Sequence, residues 1–276
     1  MDDPPALSVV IASVNGYQYI AECLRSLERQ RGRDRAEVLV VEASGNGAAE
    51  RIAREYSWAT VVPVAEPLPI PRLRSLGIRR SRGDIVVTTE DHCVFPDDWF
   101  DQILRAHQAH SAAAIGGAVE NGSRERLVDW GAYICEYTGF MLPLAAGPSG
   151  QLPGPNVSYK RAALEAAAAD LVAQGVWENV IHDRLRERGL QLWLEPSIVV
   201  YHVKRFGFWD FLTQRYYFGR SYAATRVKDA PAHVRAFFIV VSLLLPPLFL
   251  WRYVRSVVSR RRFFRELVKA FPLLLL

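Results

Sequence analysis

Three observations predict an α/β fold, a mostly parallel sheet with helices on both faces. Apolar runs of strand length recur through the first two thirds of the chain, helical patterns stand between them, and half of the 276 residues are hydrophobic, ample for a core. No internal repeat is present.

The elements follow in order. Leu7-Ser8-Val9-Val10-Ile11-Ala12 is a continuous apolar run, and Ser13-Val14-Asn15-Gly16 supplies turn and cap residues ahead of a helix to Arg29, with Ile20, Cys23, Leu24 and Leu27 at helical spacing. Glu37-Val38-Leu39-Val40-Val41 forms a second strand ending at Glu42. A helix from Ala48 to Tyr56, a short strand at Val61-Val62 and a helix from Arg72 to Ser81 come next. The run Gly83-Asp84-Ile85-Val86-Val87-Thr88-Thr89 then ends in Glu90-Asp91-His92. Acidic and imidazole side chains at the carboxyl end of a buried strand mark the place where open α/β sheets bind ligands.

Further on, a helix is expected from Asp97 to His110 and a strand over 113–118, followed by an aperiodic stretch, 121–152, with one helix in it. Gly154-Pro155-Asn156-Val157-Ser158-Tyr159-Lys160 turns and then extends, and a helix starts at Arg161. Trp177-Glu178-Asn179 leads a charged helix to Arg188 that Gly189 closes, and a strand from Ile198 to Tyr201 ends at His202.

Charge is uneven. Lys and Arg exceed Asp and Glu by 34 to 29, and the excess gathers near the C-terminus, which favours a membrane surface over nucleic acid. Residues 236–250 are apolar and uncharged but shorter than the roughly 20 residues of a straight span, and Pro246-Pro247 interrupts them. Arg252, Arg255, Arg260, Arg261, Arg262 and Arg265 follow, the pattern of a membrane-associated segment on the cytoplasmic face; a core helix beside a solvated basic helix is the plainer alternative. Cys23, Cys93 and Cys135 are odd in number and widely spaced, which argues against a disulfide framework and fits a reducing compartment. The first five residues lack the basic and apolar regions of a signal peptide.

Taken together, Ser8-Val9-Val10-Ile11-Ala12, Glu42, Arg74-Ser75-Leu76-Gly77-Ile78-Arg79-Arg80-Ser81-Arg82-Gly83-Asp84, Glu90-Asp91-His92 and Gly154 to Arg161 resemble, in that order, the motifs of a family 2 glycosyltransferase. The likeness covers residues 7–223 and implies a GT-A-like, Rossmann-type sheet. It further implies a domain of residues 1–225, with a nucleotide-sugar half (1–120) and an acceptor half (121–225), ahead of a membrane-associated segment, 226–276.

The resemblance also implies roles. The family's Asp-X-Asp motif becomes Glu90-Asp91-His92, with both outer positions changed. Glu90 and His92, with His202, are expected to hold a divalent cation, Mn²⁺ or Mg²⁺, and Asp91 to face the nucleotide. Capping of the next turn by Glu90 and Asp91 is the bland alternative. Ser13, Asn15 and Glu42 are expected around the nucleoside, with Ala43 where the family has a second acid, and Arg74 near the diphosphate unless it lies on a solvated helix face. Glu178 takes the general-base position, with Asp183 as rival and helix capping as the alternative. Asn156, Asp183, Gln214 and Arg215 are placed on the acceptor side, and Trp209, Tyr216 and Tyr217 at a membrane interface. The expected partners are a nucleotide sugar, UDP-linked by family habit, and a lipid-linked or glycan acceptor at the cytoplasmic membrane face. A polyprenyl-phosphate sugar synthase and a nucleotide-sugar-binding protein without catalysis stand as alternatives.

Overall fold

The computed structural model describes residues 4–205, 207–227, 230–242 and 244–275. Its elements begin with β1 (Leu7–Ser13), α1 (Tyr17–Glu28), β2 (Ala36–Glu42), α2 (Ala48–Glu55), β3 (Thr60–Pro63), α3 (Ile70–Arg80), β4 (Ile85–Glu90) and β5 (Cys93–Val94). Next come α4 (Trp99–Ala109), β6 (Ala114–Asn121), α5 (Leu127–Tyr137), β7 (Gly147–Pro148), β8 (Val157–Lys160), α6 (Arg161–Gln174), α7 (Glu178–Glu187) and β9 (Leu192–His202). Four helices follow: α8 (Phe208–Val227), α9 (Ala232–Ser242), α10 (Leu245–Arg260) and α11 (Phe264–Leu274).

β1 is buried along its whole length, as its largely apolar sequence requires of a strand covered on both faces. It lies between β2 and β4, parallel to both, with Ser13 opposite Glu42 and Ala12 opposite Glu90. Two acidic strand ends therefore flank the end of β1. Gly77 lets α3 pack down on this layer, because a Cβ there would sit 2.3 Å from Val10 Cγ1. That contact carries Arg74, one turn earlier, inward to 5% exposure.

The second half of the sheet departs from expectation. In the nine-stranded order β3-β2-β1-β4-β8-β6-β9-β5, with β7 on β9, β8 runs antiparallel to both β4 and β6, and β5 and β7 run antiparallel to β9. The sheet is mixed, not mostly parallel. The stretch between β6 and β8 is longer than a βαβ crossover needs, so the chain re-enters from the opposite end. β9 also starts at Leu192, earlier than the expected Ile198, and carries Pro196 across an irregularity where its register against β6 shifts.

The contacts divide the chain into two units. One holds the residues through Gly122 together with Phe140–Val203, and contains the whole sheet; the other holds Ser123–Gly139 and the residues from Lys204 on. In the second unit α5 packs against α11, Leu273 lying over Gly131, with Ala132 and Phe211 buried between them. No single described helix is long and apolar enough to cross a membrane.

Candidate active site

The site is assembled where β4 stops. Glu90 is its last residue, Asp91 and His92 turn the chain, and β5 pairs antiparallel with the end of β9, setting Cys93 opposite His202. This two-residue strand brings the two histidines together. His92 Nε2 lies 2.8 Å from His202 Nε2 and 3.1 Å from Glu90 Oε2, and His202 Nε2 lies 3.8 Å from the same oxygen.

Asp91 sits beneath this group and is fully buried. Its Oδ2 accepts the amides of Val14 and Asn15 at 2.8 Å each, and its Oδ1 accepts the Asn15 side-chain amide at 2.7 Å and lies 2.7 Å from His92 Nδ1. The expected nucleotide contact of Asp91 is therefore replaced by a structural one: it clamps the β1 loop to the His92 ring. A carboxylate on Nδ1 leaves Nε2 as the nitrogen that could take a ligating role. Asn15 belongs to the same clamp.

Burial opposes charge throughout the cluster, yet the partners win. The carboxylates of Asp91 and Glu90 push His92 up to about 9, although burial alone would lower it. Burial raises Glu90, but His92, Arg74 and His202 hold it well below the usual carboxylate range. Asp91 is lowered too, by His92 and the Asn15 amides against the opposing effect of burial.

The donor set suits a divalent ion. Glu90, His92 and His202 each offer one ligand atom, and the three lie within 4.8 Å of one another. Adjacent donors on an ion with bonds of about 2.1 Å stand roughly 3 Å apart, close to the nearer separations here. Two imidazoles and one carboxylate suit Mn²⁺ better than the all-oxygen set Mg²⁺ prefers.

Arg74 joins this cluster to the candidate base. Its Nη2 lies 3.1 Å from Glu90 Oε1 and its Nη1 2.7 Å from Glu178 Oε2. The solvated-face alternative for Arg74 fails, since the guanidinium is buried between two carboxylates. Glu178 opens α7, and its other oxygen runs against the 154–156 loop, where a Cβ on Gly154 would lie 2.0 Å from Glu178 Oε1. Thr89 fixes the same loop by donating to the Pro155 carbonyl at 2.8 Å.

Two orphaned atoms lie at the ends of β1 and β2. Ser13 and Glu42 stand opposite each other in the register of the two strands, both buried, and among the described residues Ser13 Oγ and Glu42 Oε2 have no hydrogen-bond partner. The other Glu42 oxygen accepts the Ser44 amide at 2.6 Å.

Other expected residues lie elsewhere. Asn156 is fully buried: its amide donates to the Ala118 and Ile198 carbonyls at 2.9 Å each, and its oxygen accepts the Trp99 indole at 3.1 Å. It holds β6, β8 and β9 together and presents nothing to an acceptor. Asp183 is exposed, 3.0 Å from Gln151 Nε2 and 3.3 Å from Arg186 Nη1. Gln214 and Arg215 lie on α8 in the second unit, where Arg215 pairs with Glu136 on α5. One group escaped the sequence reading. His182, four residues after Glu178 on α7, bonds Tyr159 Oη at 2.9 Å and Gln151 Oε1 at 3.1 Å, and burial, with the nearby Arg74 charge, pushes its pKa down to about 3. The i, i+4 spacing from Glu178 was the available signal.

Comparison with known proteins gives the family and agrees with the fold. The family model for glycosyl transferase family 2 matches residues 8–166. The chain belongs to that family. EpsH of Bacillus subtilis (strain 168), named as a glycosyltransferase, is 29% identical over 106 residues, 37% of this chain and 30% of EpsH. Two solved family-like folds are each 15% identical. S. aureus TarS 1-349 in complex with UDP matches with a TM-score of 0.54 over 72% of this chain and 60% of its own. GalNAc-T7 with UDP, GalNAc and Mn²⁺ matches at 0.58 over 73% and 43%. The chain thus spans under two thirds of each of these relatives. The family 2 match ends before α7 and β9, so Glu178 and His202 lie beyond it.

Proposed function

We propose that this family 2 protein is a metal-dependent, inverting glycosyltransferase. It takes a sugar from a nucleoside diphosphate sugar, UDP-linked, and passes it to a hydroxyl of a lipid-linked or glycan acceptor at the cytoplasmic membrane face. One observation carries the reading: a single buried guanidinium, Arg74, spans the cluster that would face the donor diphosphate and the carboxylate that would face the acceptor. The UDP in the TarS complex and the UDP and Mn²⁺ in GalNAc-T7 support the donor side.

Glu90, His92 and His202 would hold the divalent ion, which when bound offsets the negative charge growing on the leaving diphosphate. Asp91 keeps the His92 ring turned so that Nε2 faces that point. Glu42 Oε2, buried and without a partner among the described residues, accepts the imino N–H of uracil, and Ser13 stands opposite Glu42 in the register of the two strands. Glu178 takes the proton from the acceptor hydroxyl. The acceptor oxygen then bonds the anomeric carbon as the bond to the diphosphate breaks, and attack from the opposite face inverts the configuration.

A phosphate acceptor, as in a polyprenyl-phosphate sugar synthase, is the second reading. It is favoured by one detail: an oxygen of Glu178 is already engaged by Arg74, and a phosphate needs no base. Glu178→Gln separates the two, because near-wild-type turnover would remove the base and leave the phosphate acceptor. The donor half is tested by thermal shift with UDP-sugars, with and without Mn²⁺, since a ligand that binds only the folded state raises its melting point. A shift that needs both is expected, and it should vanish in His92→Ala. Mn²⁺-stimulated hydrolysis of the sugar nucleotide, lost in the same variant, would exclude a binding protein without catalysis.

A further inference from the structure

We infer that α10 and α11 form a surface that seats in the headgroup layer of an anionic lipid membrane, lying along it and not passing through it. The inference narrows the membrane-side placement proposed above and rests on it only for which face is met.

The argument starts from α11, which is apolar on two sides. Leu267 and Ala270 are buried within the second unit, and Leu273 packs on Gly131 of α5. On another side Phe264, Val268, Phe271 and Leu275 follow one another at i, i+4, i+7 and i+11, a single stripe, yet they are 47%, 73%, 41% and 56% exposed. A core helix covers both such sides, and a solvated one has only one. α10 repeats the pattern with Leu248, Trp251 and Val258 exposed and Val257 alone buried.

Charge chooses the occupant. From Leu245 onward the chain carries seven basic residues and one acid, Glu266, so this end holds more positive charge than the whole protein's net +5. Two of the arginines lie over exposed rings, Arg255 5.2 Å from the Trp251 centroid and Arg252 5.9 Å from Phe249. An arginine lying along an apolar ring reaches phosphates at the level where the ring is buried, as in interfacial helices. A second copy of the chain would set like charges against each other, whereas anionic headgroups neutralise them. The face of α11 packed on α5 excludes a helix surrounded by lipid. α9 and α10 reach the length of a span only as a pair bent by 50°.

The test uses the full chain with sealed vesicles of phosphatidylcholine alone or mixed with phosphatidylglycerol. Binding to the mixed vesicles, weakened by salt, is expected, and Val268→Asp with Phe271→Asp should weaken it by about tenfold or more. Both positions are exposed, so the melting temperature and the UDP-sugar thermal shift should hold, which keeps this result separate from the catalytic reading. Equal binding to neutral vesicles, or no effect of the double variant, overturns the proposal. So does self-association that the same variant abolishes without vesicles. For depth, a Val268→Cys chain carrying an environment-sensitive dye, read against the labelled parent, should be quenched more by nitroxides near the glycerol backbone than by those at the chain ends. The reverse order would mean that the helix runs through the bilayer.

Discussion

The sheet-bearing unit and the C-terminal helical unit treat the same residue types in opposite ways. In the first, β1 and β6 bury every residue, and the buried charges at the end of β4 are matched: Arg74 by Glu90 and Glu178, His92 by Asp91 and Glu90. In the second, α9 has no buried residue although most of it is apolar, and α10 and α11 leave Trp251 and Val268 in the open. The membrane seating inferred above rests on that difference.

That contrast predicts a gradient of effects. Largest is Glu178→Gln, expected to lower kcat by roughly 10²- to 10⁴-fold, the range of a lost general base, with a smaller loss of stability than the Arg74 variant because an amide oxygen still accepts from Arg74 Nη1. A steady-state assay beside a melting curve reads both, and a drop in Tm of similar size to the Arg74 variant would recast Glu178 as structural.

Next is Arg74→Met. Removing one partner of a buried ion pair costs on the order of 3–5 kcal/mol, because the remaining charges stay buried and face each other. Urea unfolding should show most of that loss. A change under about 1 kcal/mol would mean that the carboxylates relax apart and that the bridge is not what holds them.

Acid sensitivity should be a property of the first unit. Burial, with the Lys160 charge nearby, pushes His107 down to about 3, and His182 is held as low. Between about 3 and the unfolded value near 6.5 the unfolded chain binds the proton and the folded chain does not, so stability falls as pH drops through that window, by up to about 1.4 kcal/mol per pH unit for each histidine. His107→Gln should flatten the curve of unfolding free energy against pH between those limits and leave it unchanged above pH 7. An unchanged slope would show that His107 already protonates in the folded state.

The smallest effect on stability belongs to the second unit. Val268→Asp, at an exposed position, is expected to change the unfolding free energy by no more than about 0.5 kcal/mol. A large loss there would erase the contrast, since it would mean that the stripe is covered within the protein.

How much of this could be read from the sequence depended on length and on partners. β1, β2 and β4 were legible because three or four consecutive, mostly β-branched apolar residues have few alternatives, and the acidic ends of β2 and β4 drew attention to Glu42 and Glu90. β5 was invisible: two residues, Cys93 and Val94, carry no period, yet they bring His92 to His202. The direction of β8 was hidden by the aperiodic stretch before it. Asn156 stands in a motif of the resemblance and is expected on the acceptor side on that ground, whereas its amide is consumed by two carbonyls of neighbouring strands. Asp91 lies in the right motif, but its lone pairs are taken by Val14, Asn15 and His92, a fact of three-dimensional neighbourhood that no spacing encodes. Arg74 needed Gly77 to be understood, since only the close approach of α3 to Val10 takes that arginine out of water.

The pairing of Cys93 with His202 has a consequence for how the protein comes into being. The two histidines are 110 residues apart, and the short ladder that joins them, β5 on β9, is a non-local pairing of the kind that slows folding. Competence to hold an ion should therefore appear late, after most of the helix content. During synthesis it must wait until β9 has left the ribosome. Time-resolved Mn²⁺ binding after dilution from urea would follow the closing of this last ladder, and the ion would act as a clock for the completed sheet.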